Sequence, residues 1–536
     1  VKAPVRQRQV LRGGSPHLPR AGLLLCLLAA LTVVGSGCGG PSDAARADAL
    51  LETAVSAGGR ERVEATEAAL DMAERLAAAG DTATADHIYR TLWDASPAPD
   101  RRHVRCAAIR GLSHLLGPAA VEDLAAAMAG EDRQVAAAAF AAAAWTGGEE
   151  VTRAWAACLP SAPPAVQPQI LRVLGRRGGP VAAEAVLAAL KSEDDAVRRA
   201  AIDAAAGLAT PRAVGPLVGL LDAEDADDRA AAEAALARLS APGVSAAVAE
   251  RLSATLKRGG SPHPPRAEKT DAWRAVGRET RRASALIRIL AARAARDQAD
   301  AVAACLANQS AEVQTAALAA LGVLGDARHV PGVLDALVQA ERDEVRQAAE
   351  KALAAVGGRA EAEPFVAQVV DAEDKAGPDA RCALLRVLGA VPTEEGLAAV
   401  REALRADRAA VRETAIRAAS DWPTAAPAPD LLAVAHEAES AKARILALRG
   451  VVRLAGRVAD PAARTRLLGR ALAAAERVQE RRLALAALAD VPALEALGLA
   501  LAHLEDALLV AEAAAAAIGV AEGIAEAHPA EATAAL

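Results

Sequence analysis

The chain has 536 residues, a net charge of −7, 53% hydrophobic and only 1% aromatic content. With two Phe, one Tyr and five Trp, it lacks the large aromatic side chains that dominate many globular cores. Its mild acidity, with acids and bases interspersed, gives no basic footprint for nucleic acid. Ala, Leu and Val must fill the interior, and Ala has the best helix propensity. Few runs show the period-2 alternation of strands, so the expectation is many short helices packed on their neighbours.

Residues 1–20 carry Lys2, Arg6, Arg8, Arg12 and Arg20 and no acid. An apolar run follows over 21–34, then Gly35-Ser36-Gly37-Cys38. A basic flank, an apolar core and small residues make a secretory signal. Small residues before Cys38 resemble a bacterial lipobox, which implies cleavage before Cys38 and a diacylglyceryl group on its sulfur. Gly35 departs from that motif, which prefers an apolar residue there. A plain cleaved signal and an uncleaved anchor stand as alternatives, although the run is short for a span of about 20 residues. By analogy with enteric bacteria, Gly39 after the cysteine favours outer-membrane sorting. The expected organisation is a signal over 1–37, a tether and first helix over 38–58, and a helical cap over 59–99. The cap contains a pair of helices, Glu61–Ala79 and Thr82–Ala95, with TPR-like spacing at Leu76, Gly80, Ala85 and Tyr89.

Downstream, the segment beginning Val197-Arg198 recurs. Anchors at Val104, Val135, Val166, Val197 and Asp228 keep a step of 31 residues, and later anchors fall at Arg282, Val313, Val345, Ala380, Val411, Ala443 and Glu480. A period near 31 is two short helices plus two turns, and a helical hairpin buries its apolar face only by stacking on another. Asp132, Asp194, Asp225 and Asp407 lie at or next to the turn inside a hairpin, where a carboxylate can cap the second helix. Repeats are expected over 100–256 and again over 280–536.

The order apolar helix, Asp turn, Val-Arg-x-x-Ala helix resembles the HEAT repeat in its short form, over roughly residues 80–520. The resemblance implies an all-α fold, a right-handed superhelical α-solenoid of stacked helical hairpins, with the Val-Arg helices on its concave face. It also implies that Arg105, Arg198, Arg229, Arg346, Arg381, Arg412, Arg444 and Arg481 pair with turn aspartates of their own or adjacent repeats. A binding stripe is the alternative role for those arginines. Ala136, Gln167 and Gln314 interrupt the pattern.

Between anchors 228 and 282 the step lengthens, which points to an insertion over 257–279. It contains Arg258-Gly-Gly-Ser-Pro-His-Pro-Pro-Arg266-Ala267, a near-copy of residues 12–21. Its prolines predict an exposed loop. Lys257, Arg258, Arg266, Arg274, Arg278, Arg281 and Arg282 form a candidate anion patch there, beside Trp273.

Neither a phosphate-binding loop nor an H-E-x-x-H metal motif is present, and there is no G-x-S-x-G nucleophile elbow. Single histidines such as His103, His114, His329, His436 and His503 have no second ligand at metal spacing. Cys106, Cys158, Cys305 and Cys382 form no C-x-x-C pair; Cys106 and Cys382 share a repeat position that suits a small buried residue. The Asp222–Asp228 run lacks the Gly and distal Glu of a calcium loop. No cofactor and no nucleic acid is expected. The function read from these features is a non-catalytic, envelope-anchored scaffold that binds an unidentified protein partner and is held to a membrane through Cys38. An accessory subunit or chaperone of an enzyme, bilin-lyase-like by fold analogy alone, and a structural envelope spacer are the competing readings.

Overall fold

The computed structural model describes residues 42–258 and 269–536, without the side chains of 258 and 269–274. The expected signal, Cys38, the first copy of the decapeptide and residues 259–267 of the second, Arg266 among them, lie outside the described residues, as do the side chains of Arg258, Trp273 and Arg274. Among the described residues every element is helical. The chain divides into two compact units, one ending at Ala162 and one starting at Pro163. The sequence suggests an interruption at the insertion instead. The division coincides with Pro163-Pro164, where two consecutive residues lack the N–H that continues a helix.

The first unit contains α1 (Asp43–Ser56), α2 (Gly59–Ala79), α3 (Thr82–Asp94), α4 (Arg102–Leu116), α5 (Val121–Ala129), α6 (Arg133–Trp145) and α7 (Glu149–Cys158). Gly80 ends α2 at φ +90°, with its N–H on Ala77 O and that of Asp81 on Leu76 O. This left-handed closure favours glycine. Asp81 then caps α3 by accepting from Thr84 N at 3.1 Å. The expected helix pair is therefore present, and α1 packs against both of its members.

The second unit continues with α8 (Gln167–Arg177), α9 (Gly179–Ala189), α10 (Asp195–Ala206), α11 (Val214–Leu220), α12 (Ala226–Arg238), α13 (Val244–Arg258), α14 (Lys269–Ala292), α15 (Ala299–Ala303), α16 (Ala311–Leu324), α17 (Val330–Val338), α18 (Asp343–Gly357), α19 (Ala362–Lys375) and α20 (Pro378–Ala390). It ends with α21 (Glu394–Ala403), α22 (Ala409–Ser420), α23 (Ala428–Glu437), α24 (Ala441–Ala455), α25 (Pro461–Ala474), α26 (Val478–Leu488), α27 (Leu494–Leu501), α28 (Val510–Ile524) and α29 (Pro529–Ala535). Even-numbered helices carry the anchors. From α4 to α26 they start two residues before their anchor, except α8 and α14.

The expected loop over 257–279 is corrected on its C-terminal side. Lys269–Glu279 forms the beginning of α14. Between Pro265 and Pro331 the sequence has no proline, and straight-chain residues and alanine favour helix there.

The anchor position is buried throughout Val104, Val135, Val197, Val313, Val345 and Val411, each at most 3% exposed. Even-numbered helices of the second unit pack on one another in succession, whereas odd-numbered helices touch their own kind less closely. Small residues permit this approach. Nine positions after their anchors, Gly175, Gly322 and Gly389 face Ala204, Ala352 and Ala418 of the next even helix. A Cβ on Gly175 would meet Ala204 Cα at 2.8 Å. Alanine and glycine thus set the spacing of the row where leucine would separate it.

Candidate functional site

The even-numbered row presents the repeated polar features of the chain, and its geometry begins at the turn inside each hairpin. Asp132 accepts from Gln134 N at 2.9 Å and Val135 N at 3.3 Å. Asp194 accepts from Ala196 N at 2.8 Å and Val197 N at 3.0 Å. Asp225 accepts from Asp227 N at 2.8 Å. These are N-caps that satisfy donors left free at a helix start. Asp407 does not do this; the residue at the cap of α22 is Arg408, without a side-chain bond.

Several anchor arginines contact the same turns through backbone oxygen. Arg229 donates to Ala223 O and Glu224 O, both at 2.7 Å. Arg412 donates to Ala406 O at 2.7 Å and Asp407 O at 2.8 Å. Arg444 donates to Ala438 O at 2.8 Å and Arg346 to Ala340 O at 2.9 Å. Each bond reaches back six residues or five, to carbonyls just past the end of the preceding odd-numbered helix. A cation there also complements the negative end of the helix dipole.

The expected arginine–aspartate ladder is therefore corrected. Among the described residues Arg229 and Arg412 have no acidic partner, and Arg381 donates to the buried Glu373 rather than to an aspartate. Burial raises the pKa of Glu373, while that hydrogen bond raises the pKa of Arg381. Arg346 does reach Asp343. Arg198 combines Ser192 O at 2.8 Å, Asp195 at 2.7 Å and Asp228 at 2.6 Å. Arg481 lies 3.4 Å from Asp506. Asp132 is paired with Arg102 at 2.5 Å, not with Arg105. That pair holds the Asp132 carboxyl below its ordinary range.

A different ladder links successive even-numbered helices. Asp203 meets Arg238 at 2.7 Å, Glu233 takes two bonds from Arg288 at 2.8 Å, and Glu350 takes two from Arg386 at 2.7 and 2.8 Å. Further along, Glu413 meets Lys442 at 2.6 Å, Arg449 meets Glu480 at 3.0 Å, and Arg482 meets Glu512 at 3.3 Å. Two of the anchors that are not apolar take part. Asp228 is 1% exposed and Glu480 is 3% exposed, and arginines from the preceding helix neutralise both.

The candidate anion patch is partly dismantled by such pairing. Arg282 is bound to Asp222, with Nε at 3.1 Å. Nearby, Arg293 donates to Leu236 O at 2.8 Å and Leu239 O at 2.7 Å. Lys257, Arg278 and Arg281 are exposed. The run Asp222–Asp228 does not converge on one point: Asp222 holds Arg282, Asp225 caps a helix and Asp228 holds Arg198.

Among the described residues no three His, Cys, Asp or Glu side chains are grouped to hold a metal. All four described cysteines are free thiols. Burial pushes Cys305 up to about 12 and also raises Cys106 and Cys158, which keeps these sulfurs protonated and poorly nucleophilic. Cys106 is half-buried rather than buried, as is Cys382, and the Cys106 sulfur lies 3.8 Å from Gln134 O of the next even-numbered helix.

Grooves open between hairpins of the second unit. One of about 780 Å³ is lined by Asp300, Gln314, Arg328, His329, Gln339 and Arg342 among others. Gln314 stands where the anchor arginine is missing and donates to Leu306 O at 3.2 Å instead. His329 is 6% exposed, with Nδ1 2.9 Å from Asp326 and Nε2 3.0 Å from Asp300. Sequence reading missed this cluster and the ladder between helices, because partners 29 or more residues apart carry no local signal.

Residues 152–237 match the family of HEAT repeats. No curated protein sequence matches the chain. Among solved structures, the chain is similar to Kap121p bound to Pho4p, at 13% identity and a TM-score of 0.48 over 91% of this chain and 58% of that one. It is also similar to Kap95p from its RanGDP complex, at 14% identity and a TM-score of 0.41 over 91% of this chain and 73% of that one. Importin beta gives 13% identity and a TM-score of 0.35 over 91% and 69%. This chain spans under two thirds of the length of Kap121p.

Proposed function

We propose that this chain is a non-catalytic, protein-binding scaffold of HEAT-like repeats, held at a bacterial cell envelope by a lipid on Cys38. The observation that carries the binding part is the even-numbered row. In the second unit many of its charges are paired between neighbouring helices, and the turn arginines Arg198, Arg229, Arg346, Arg412 and Arg444 are occupied by carbonyls. Such a face is rigid, polar and close to neutral, which suits recognition of a protein surface better than attraction of a polyanion. Repeat stacks contact only their neighbours, so they can present such a face over many hairpins.

The anchoring part rests on sequence: the basic flank, the apolar run over 21–34 and the small residues before Cys38. Among the described residues no helix is long and apolar enough to cross a membrane.

Crosslinking of the full-length protein in its native membranes, followed by mass spectrometry, tests both parts. Crosslinks from one stoichiometric partner to the even-numbered helices of residues 282–500, with a diacylated Cys38 peptide, are expected. Absence of such crosslinks would sink the scaffold reading and favour a spacer. An intact N-terminal peptide with no lipid would sink the anchor.

A further inference from the structure

Arg105 occupies the same repeat position as the arginines that bind turn carbonyls, yet it binds none. The reason lies in the preceding turn. Pro99–Arg101 forms a short 3-10 turn, and Arg101 takes the role instead. Arg101 donates to Ala95 O at 2.8 Å, six residues back, and to Ala54 O at 3.1 Å, and it is 8% exposed. The six-residue reach seen at Arg198, Arg229, Arg412 and Arg444 is thus used one turn of helix earlier.

Arg105 is left lying on Trp93, its guanidinium carbon 4.2 Å from the ring centroid. Its Nε is buried without an acceptor, and among the described residues neither of its terminal nitrogens has one. The guanidinium faces a cavity of about 580 Å³ between α3, α4 and α5, within the first unit. The other cations at this place are already engaged. Arg90 binds Asp123 at 3.0 Å and Asp86 at 2.9 Å, and Arg102 binds Asp132 at 2.5 Å. Asp94 and Glu131 also line the cavity; both are exposed, and neither has a cationic partner among the described residues.

We propose that this cavity binds a protein segment carrying one carboxylate beside one basic side chain, with the carboxylate on Arg105 and the base toward Asp94 and Glu131. A planar guanidinium recognises a carboxylate through two parallel bonds. Stacking on the indole fixes its plane, so little freedom is lost on binding. Asp94 and Glu131 repel a dianion such as phosphate but attract a cation next to the bound carboxylate. The cavity volume falls in the range of sites that enclose small ligands or side chains. The inference rests on the scaffold reading for the class of ligand, whereas the cavity itself lies outside the repeats tested for that reading.

Isothermal titration of the full chain with the acetylated, amidated pentapeptide Gly-Glu-Gly-Lys-Gly tests it. Saturable binding with a Kd below about 5 mM is expected. The Gln-for-Glu peptide is expected to bind at least tenfold more weakly, which needs no change in the protein. Arg105→Gln should weaken the Glu peptide by a similar factor with an unchanged circular dichroism melt, and Arg105→Lys should recover part of it. Inorganic phosphate at about 10 mM should not compete. Absence of saturable binding, equal binding of both peptides, or displacement by phosphate would each overturn the proposal. Crosslinks on residues 282–500 without peptide binding would overturn the cavity alone; loss of those crosslinks would strike the scaffold reading itself.

Discussion

Asp228 and Arg198 show how one polar pair is tolerated at a core position. Most other repeats place valine or alanine where Asp228 sits, and its carboxylate is nearly excluded from water. Arg198, on the preceding even helix, supplies the bond at 2.6 Å. Arg198→Met leaves a buried charge without compensation, and a loss of about 3–5 kcal/mol in urea unfolding is expected. Combining it with Asp228→Val restores an apolar anchor and should recover most of that loss. A double variant as unstable as the single would contradict this account. Asp326 illustrates a milder case. Its hydrogen bond from Arg328 holds its carboxyl down at about 2, from an ordinary 3.8. A depressed carboxyl pKa contributes stability that is complete above about pH 4 and is lost as pH falls toward 2. The stability gap between the native chain and Asp326→Asn should therefore shrink across that window. Because the side chain is half exposed, the gap should be small throughout.

At the scale of helices, the spacing of the even-numbered row depends on small side chains at the crossing. Gly175 is one instance, since Ala204 backbone lies 2.8 Å from where a Cβ would stand. Gly175→Ala should destabilise by about 1–3 kcal/mol, because backbone must move to admit the methyl. Gly498, in α27, has nothing within 4 Å of its Cβ position. There the same substitution should stabilise by about 0.5–1 kcal/mol through reduced backbone entropy of the unfolded chain. Thermal melts of both variants give opposite signs if close approach, rather than helix propensity, governs the row.

At the largest scale, helices of the second unit pack chiefly on their neighbours, so stability is distributed along that unit. Near the C-terminal end, Leu485 and Leu488 of α26 are packed with Ala513, Ala517 and Val520 of α28 in one cluster. Leu485→Ala should cost about 2–5 kcal/mol locally. In a quasi-one-dimensional architecture that loss should stay near its origin. Hydrogen exchange is expected to quicken in α24–α28 while α8–α12 keep their protection. Uniform loss of protection over the second unit would show cooperative unfolding instead.

The 31-residue period was enough to read helical hairpins and the place of the repeats along the chain, because burial of one helix face imposes a local rhythm on the sequence. Turn aspartates at 132, 194 and 225 were legible as caps for the same reason: donor and acceptor are two or three residues apart. The partners of the arginines were not legible. Arg198 and Asp228, Arg288 and Glu233, and Arg386 and Glu350 meet only because consecutive even helices lie side by side. The freedom of Arg105 depends on a proline-bearing turn that lets Arg101 reach the carbonyl first. Local spacing determined which segments are helical, whereas tertiary packing decided which charges are used up inside the fold and which remain to bind something else.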